Sequence, residues 1–304
     1  MNDPIGARFR RRALRRAALA LATLLVLWLG ASFAAALTLT GRASGPRPEP
    51  LPSELGPTAE ELRLPTRDGE QLGAWYVPAA RAGAASVLLL HGNGGSRRHR
   101  LGPARAFLAE GCAVLLVTLR AHGDSTGERN DFGWSSRLDV VAAVEELERR
   151  RPDSRLVVCG SSLGAAAAAF AASELGERVH GWILESVYCD LPTAARRRVE
   201  RYLPPGLDWL AYQGLRVAGT LVLPGWSRLS PAEAVTAIPP GVPVLLLTGA
   251  RDLLSLPADV AGVLARCGGK AELVVLEEAG HGRLWRRSPE EYRSAVIGLL
   301  RGAE

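Results

Sequence analysis

Read for hydrophobicity alone, the chain divides into two unlike parts. Ala17 to Thr40 runs for 24 residues without a charge and is rich in Leu and Ala, long enough to cross a bilayer as one helix, for which about 20 apolar residues suffice. From residue 59 onward, short apolar runs alternate with stretches of helical periodicity. Val87–Leu90, Ala113–Thr118, Leu156–Cys159, Gly181–Leu184, Val244–Thr248 and Leu273–Leu276 predict strands, and helices are predicted around 98–110, 137–150, 163–175, 257–267 and 289–301. The strands are apolar throughout, as strands buried on both faces of a parallel sheet must be. The alternation predicts a doubly wound, mostly parallel α/β domain whose ligands sit at the carboxyl ends of strands.

Between the two parts, residues 41–58 (GRASGPRPEPLPSELGPT) are crowded with Pro and Gly and read as a semi-rigid spacer. The flank ahead of the apolar segment carries Arg8, Arg10, Arg11, Arg12, Arg15 and Arg16 against Asp3 alone. Such an excess holds its side of the membrane in the cytoplasm and exports the chain beyond the apolar segment. A cleaved signal peptide with a small-residue site around Ala34 to Ala36, or a buried core helix, would share the pattern. The apolar run exceeds the roughly 7–15 residues of a cleaved signal's core, however. We therefore expect a basic cytoplasmic tail at 1–16, a retained single-pass anchor at 17–40, a linker at 41–58 and a domain at 59–304 on the exported side.

Composition narrows this little further. With 304 residues, 47% of them hydrophobic and 22% charged, the chain can bury a large core, which excludes a disordered or collagen-like protein. The formal charge of +6 suggests a nucleic-acid binder until it is located: the first 16 residues hold +5, leaving +1 for everything else. No basic face for nucleic acid is implied. Cys112, Cys159, Cys189 and Cys267 lie too far apart for a zinc knuckle or a CxxC pair. We expect no metal, no cofactor and no disulfide framework.

Four of the predicted strand ends carry polar residues that a simple turn does not need. Gly160-Ser161-Ser162-Leu163-Gly164 falls between a strand and an Ala-rich helix. This G-x-S-x-G spacing makes a nucleophile elbow: the serine occupies a strained turn, and glycine two residues to either side avoids collision with neighbouring backbone. His91-Gly92-Asn93-Gly94-Gly95 comes after another strand and lacks the spacing of a phosphate-binding loop. In acyl transfer, the amides of Asn93 and Leu163 would supply the two donors that a developing oxyanion requires. Asp252 and His281 come after the last two strands. A serine hydroxyl needs an imidazole to take its proton and a carboxylate to orient that imidazole, and the order Ser162, Asp252, His281 is the one this fold uses. Each signal alone is common by chance; together, in order and each at a strand end, they specify one site.

With those residues in place, 60–301 resembles an α/β-hydrolase of the serine aminopeptidase-like and monoglyceride-lipase-like branch. The carrying segments are LLLHGNGG (88–95), LRAHGDSTG (119–127), CGSSLGA (159–165), SPAEAVTAI (230–238), LLLTGARD (245–252) and EAGHG (278–282). The resemblance implies Ser162 as nucleophile, His281 as base, Asp252 as orienting acid, and Asn93 and Leu163 as oxyanion donors. It also implies that Arg120 and His122 belong to a structural turn. Thr118 and Ala121 depart from the family's Asp and Gly, and the segment from Asp252 to Pro257 is one residue longer. Asp190 is an alternative acid, or else a helix cap. His99 and His180 have no partner pattern and are expected at the surface.

Residues 190–230 interrupt the alternation with Arg196, Arg197, Arg198 and Arg201 among Leu203, Trp209, Leu210, Tyr212, Leu215, Leu221, Leu223 and Trp226. They stand where related hydrolases carry a small helical lid, whose apolar residues would line an acyl pocket and whose arginines would meet anionic headgroups. The sequence thus predicts a membrane-anchored serine hydrolase of carboxylic esters, lipid or acyl esters among them. A peptidase of the aminopeptidase-like branch, or a non-catalytic binding protein on the same fold, are the alternatives.

Overall fold

The computed structural model describes residues 4–42 and 47–302, with side chains from residue 10 onward. Met1 to Asp3 and the Arg8 side chain of the basic tail, and 43–46 of the linker, lie outside the described part. Eight strands, β1 (Glu60–Pro65), β2 (Gln71–Val77), β3 (Ser86–Leu90), β4 (Ala113–Val117), β5 (Leu156–Ser161), β6 (Gly181–Glu185), β7 (Val244–Gly249) and β8 (Ala271–Leu276), form one sheet in the order β1-β2-β4-β3-β5-β6-β7-β8. The pairings β1–β2 and β2–β4 are antiparallel and all others parallel. Each apolar run read from the sequence falls on a parallel strand.

The helices are α1 (Pro4–Thr40), α2 (Leu101–Ala109), α3 (Arg137–Arg150), α4 (Leu163–Leu175), α5 (Leu191–Tyr202), α6 (Leu207–Val222), α7 (Pro231–Ala234), α8 (Pro257–Leu264), α9 (Leu284–Arg287) and α10 (Pro289–Gly302). Alternation of side chains along the strands fills two cores. Leu88, Leu90, Leu115 and Val158 meet α3, α4 and α8 on one face, while Val87, Leu89, Leu116 and Val157 meet α2 and α10 on the other. Both faces of the central strands are therefore dry, and their polar chemistry is confined to their ends.

The linker lies on the domain rather than standing away from it. Gly41 bridges to Arg129, the Arg47 amide donates to the Gly123 carbonyl at 3.1 Å, and buried Arg97 holds Glu49 through both its carbonyl and its carboxylate. Glu49 in turn accepts from Thr118 at 2.8 Å. The residue standing where the family has aspartate is thus paired with a carboxylate borrowed from the linker.

Helix α1 includes 31 residues, Arg10–Thr40, that are long and apolar enough to cross a membrane. Its last three turns pack along α6. Trp28 Nε1 donates to the Leu210 carbonyl at 3.3 Å, Ser32 sits over Gly214, and Ala36 joins Ala218 and Val222 in a small apolar cluster. Contacts four residues apart on both helices mean that they run in the same direction. Small residues at the contact allow the backbones to approach closely, as in membrane helix pairs; a Cβ on Gly214 would meet Ser32 Oγ at 2.0 Å.

Candidate active site

Ser162 stands between β5 and α4 at φ 50°, ψ −106°, a left-handed conformation that costs a non-glycine residue free energy. The glycines beside it explain how the turn closes. A Cβ on Gly160 would lie 2.4 Å from the Gly164 carbonyl, and one on Gly164 would lie 2.7 Å from Leu90 Cβ. The Ser162 amide donates to the Glu185 carbonyl at 2.8 Å, which ties the turn to the end of β6.

His281 lies in the loop after β8. The Ser162 hydroxyl donates to His281 Nε2 at 3.0 Å, and His281 Nδ1–H donates to the two Asp252 carboxylate oxygens at 3.0 and 2.9 Å. Asp252 is fully buried after β7. Burial raises its pKa, but the His281 hydrogen bond and the Ser255 and Leu254 amides, each 2.9 Å away, outweigh burial and hold it below the ordinary aspartate value. Both amides belong to the lengthened segment after Asp252, so the extra residue curls beneath the carboxylate and leaves it facing His281. Gly249 permits the approach of the two loops, since a Cβ there would meet the Ala279 carbonyl oxygen at 2.3 Å.

Asn93 and Leu163 line the same small chamber as Ser162, with Phe132, Tyr188, Leu191, Ala194 and Arg198. Leu163 opens α4, where an amide has no carbonyl within its own helix to bond. The Asn93 side chain accepts from Asn130 Nδ2 at 2.6 Å, which braces the loop. Beneath it, buried His91 accepts the Leu119 amide at Nε2 and bonds the Gly92 carbonyl through Nδ1. Burial, aided by His122, drives the His91 pKa well down, so the ring is neutral and has a structural place. The chamber's free volume is about 10 Å³, room for about one water.

Other candidates fall outside this cluster. Arg120 binds Asp139 and Asp68 through its guanidinium, and His122 bonds the Arg120 carbonyl and the Gly94 amide. Ala121, where the family has glycine, adopts φ 58°. Asp190 caps α5 by accepting the Thr193 amide at 2.7 Å. His99 and His180 are exposed and accept single backbone amides. All four cysteines are free, and among the described residues no group of three or more His, Cys, Asp or Glu converges as a metal site would.

Two features went unread in the sequence. Under the elbow, Arg100 grips Glu185 with two 2.7 Å hydrogen bonds, and Tyr292 donates to the same carboxylate at 2.6 Å. These residues are far apart in the chain, so no local pattern announces them. The other is Arg198. It was visible as one of an arginine run, but not as the member that turns toward the serine. Among the described residues it has no ion-pair or hydrogen-bond partner, and burial lowers its pKa.

Comparison with known proteins places this geometry in context. A family model described as "Alpha/beta hydrolase family" matches residues 87–295. The chain is 26% identical over 262 residues to the alpha/beta hydrolase domain-containing protein WAV2 of Arabidopsis thaliana, covering 82% of this chain and 80% of that protein. It is 29% identical over 154 residues to lysophosphatidylserine lipase ABHD12 of Mus musculus, covering 48% of this chain and 38% of the lipase. Among solved structures, the Pyrococcus furiosus esterase Pf2001 superposes with a TM-score of 0.68 at 27% identity, covering 85% of this chain and 99% of the esterase.

Proposed function

The chain belongs to the alpha/beta-hydrolase family, and from that premise we propose that it is a membrane-anchored serine hydrolase cleaving carboxylic esters of lipid or acyl type through an acyl-enzyme. Relatives named as an esterase and a lipase support a hydrolase of this kind. The observation that carries the serine mechanism is the hydrogen-bonded series from Ser162 through His281 to buried Asp252.

In this reading Ser162 Oγ attacks the ester carbonyl as His281 Nε2 takes its proton, while Asp252 stabilises the imidazolium. Negative charge on the carbonyl oxygen is met by the amides of Asn93 and Leu163. The tetrahedral intermediate expels the alcohol, which receives the proton from His281. Water then attacks the acyl-enzyme with His281 as base and releases the acid. Residues 190–230 act as a lid, with α5 and α6 over the serine. Arg198 supplies a half-buried cation beside it with no carboxylate paired to it among the described residues, so an anionic substrate group is its natural counterpart. Helix α1 is the anchor.

A fluorophosphonate probe on the full chain in detergent tests the nucleophile. Wild type should label, and Ser162→Ala should neither label nor hydrolyse p-nitrophenyl esters above about a thousandth of the wild-type rate. Equal labelling of the two would remove Ser162 from the chemistry, and an unlabelled wild type would leave only a binding protein.

A further inference from the structure

We propose that α1 is part of the substrate site: together with α5 and α6 it encloses a channel that takes one long acyl chain from the bilayer side and delivers its carbonyl to Ser162. This rests on the serine-hydrolase reading above.

The chamber around Ser162 has room for about one water, so an acyl group must lie elsewhere. Beside it is a cavity of about 610 Å³, within the roughly 300–1,000 Å³ of small-molecule sites. Ala31 and Ala35 of α1 form one wall, and Leu203 and Leu215 of the lid form the other. The two spaces share Asn93, Phe132, Leu191 and Arg198, so the cavity ends at the serine's chamber.

The chemistry along this channel is graded. Its serine end holds Arg198 and Asn93; its far end is apolar. Two hydroxyls on the α1 wall make no polar demand, because Ser32 and Thr40 donate to the Trp28 and Ala36 carbonyls of their own helix. The occupant that fits is an apolar chain with its ester, and any anionic headgroup, at one end.

The direction of entry is set by which part of α1 is used. The wall belongs to the apolar run Ala17–Thr40 that the anchor reading puts in lipid. The lid edge beside it exposes Tyr202, Leu207 and Trp209, apolar surface of the kind that lipid covers. A chain passing between α1 and the lid leaves lipid for protein without crossing water, and so avoids exposing its methylenes.

The test uses the full chain in phospholipid nanodiscs with an alkyl fluorophosphonate of palmitoyl length that carries a diazirine at its far end. After photolysis and peptide mapping, Ser162 should carry the phosphonate and second attachments should fall on α1 between Ala31 and Leu39. Phosphonate on Ser162 with every second attachment outside α1 overturns the channel while sparing the hydrolase; no phosphonate on Ser162 overturns both. An independent measurement compares two alanines of α1. Ala35→Trp, in the wall, should lower the ratio of long-chain to short-chain kcat/KM by about tenfold or more. Ala34→Trp, exposed and outside the wall, should leave it unchanged; equal ratios in the two variants overturn the proposal.

Discussion

At Gly160 and Gly164 the constraint is steric and comes from backbone, which cannot swing aside as a flexible side chain can. A methyl group on Gly160 must displace the Gly164 peptide from 2.4 Å to ordinary contact, and the displaced peptide opens the helix that carries Leu163. Gly160→Ala should therefore lower stability by about 1–3 kcal/mol and impair fluorophosphonate labelling, even though the new side chain is apolar and Ser162 is intact. A denaturant midpoint and a labelling rate check it; a variant with both at wild-type values would show that the turn tolerates the strain. The same geometry explains why the nucleophile's position was readable: few other residues can occupy the two flanking sites, so the constraint is written in the sequence itself. Arg198 shows the opposite case. Nothing about an arginine's identity says whether it will find a carboxylate, and here three neighbouring arginines in the sequence differ in fate, with Arg196 and Arg197 paired to Glu200 and Asp259 while Arg198 faces the serine.

Most strands were legible where burial on both faces forced a continuous apolar run, but β8 was legible at the half-exposed sheet edge and β2 was missed although it is buried. Strand β1 is an edge strand with charged, largely exposed positions, and β2 interrupts its apolar run with Gly73, which lies against Asp124 and Arg97; neither carries the signature of a central strand. Helices α5 and α6 fall within the segment read as a lid, and they pack partly against α1 and a cavity. Connections between elements were hidden for a related reason, since their polar partners come from distant turns. Arg120 is one such connection, joining the turn after β4 to Asp139 of α3 and to Asp68 in the β1–β2 turn. Its hydrogen bond lowers the Asp68 pKa from 3.8 to about 2. A carboxylate with a depressed folded-state pKa adds stability above its unfolded value and loses it as pH falls through the folded one. The Tm of wild type should thus exceed that of Asp68→Asn above about pH 4, with the gap closing toward pH 2. Thermal unfolding across that range measures it, and a gap constant with pH would mean that Asp68 acts by packing rather than by charge. Because Asp68 is partly exposed, solvent screening keeps the gap modest.

For the whole molecule, the central question is whether α1 and the domain form one body. The pinned linker and the α1–α6 seam tie the two together at separate places, so an anchor drawn from the sequence as a tether becomes a wall of the domain it carries. Orientation is the first consequence: with the arginine-rich flank in the cytoplasm, protease added to intact cells should digest the hydrolase domain, whereas a protected domain would reverse the proposed topology. Rigidity is the second. A Cβ on Gly214 would stand 2.9 Å from Ser32 Cβ, closer than the roughly 3.5–4.5 Å at which a disulfide joins two Cβ atoms, so the helices must part by about half an ångström for the bond to form. If α1 holds this seat in the membrane, the double variant Ser32→Cys with Gly214→Cys should form a disulfide under mild oxidant in nanodiscs, found as a cross-linked pair of peptides. Pairing Gly214→Cys with Phe33→Cys, one position around the helix and exposed, should not. A tether that let the domain wander would link both pairs to a similar low extent, because neither geometry would then be favoured. Selective linkage would mean that lid and anchor move together, so that any opening over Ser162 must come from the α5 side of the lid or from the pair shifting as a unit.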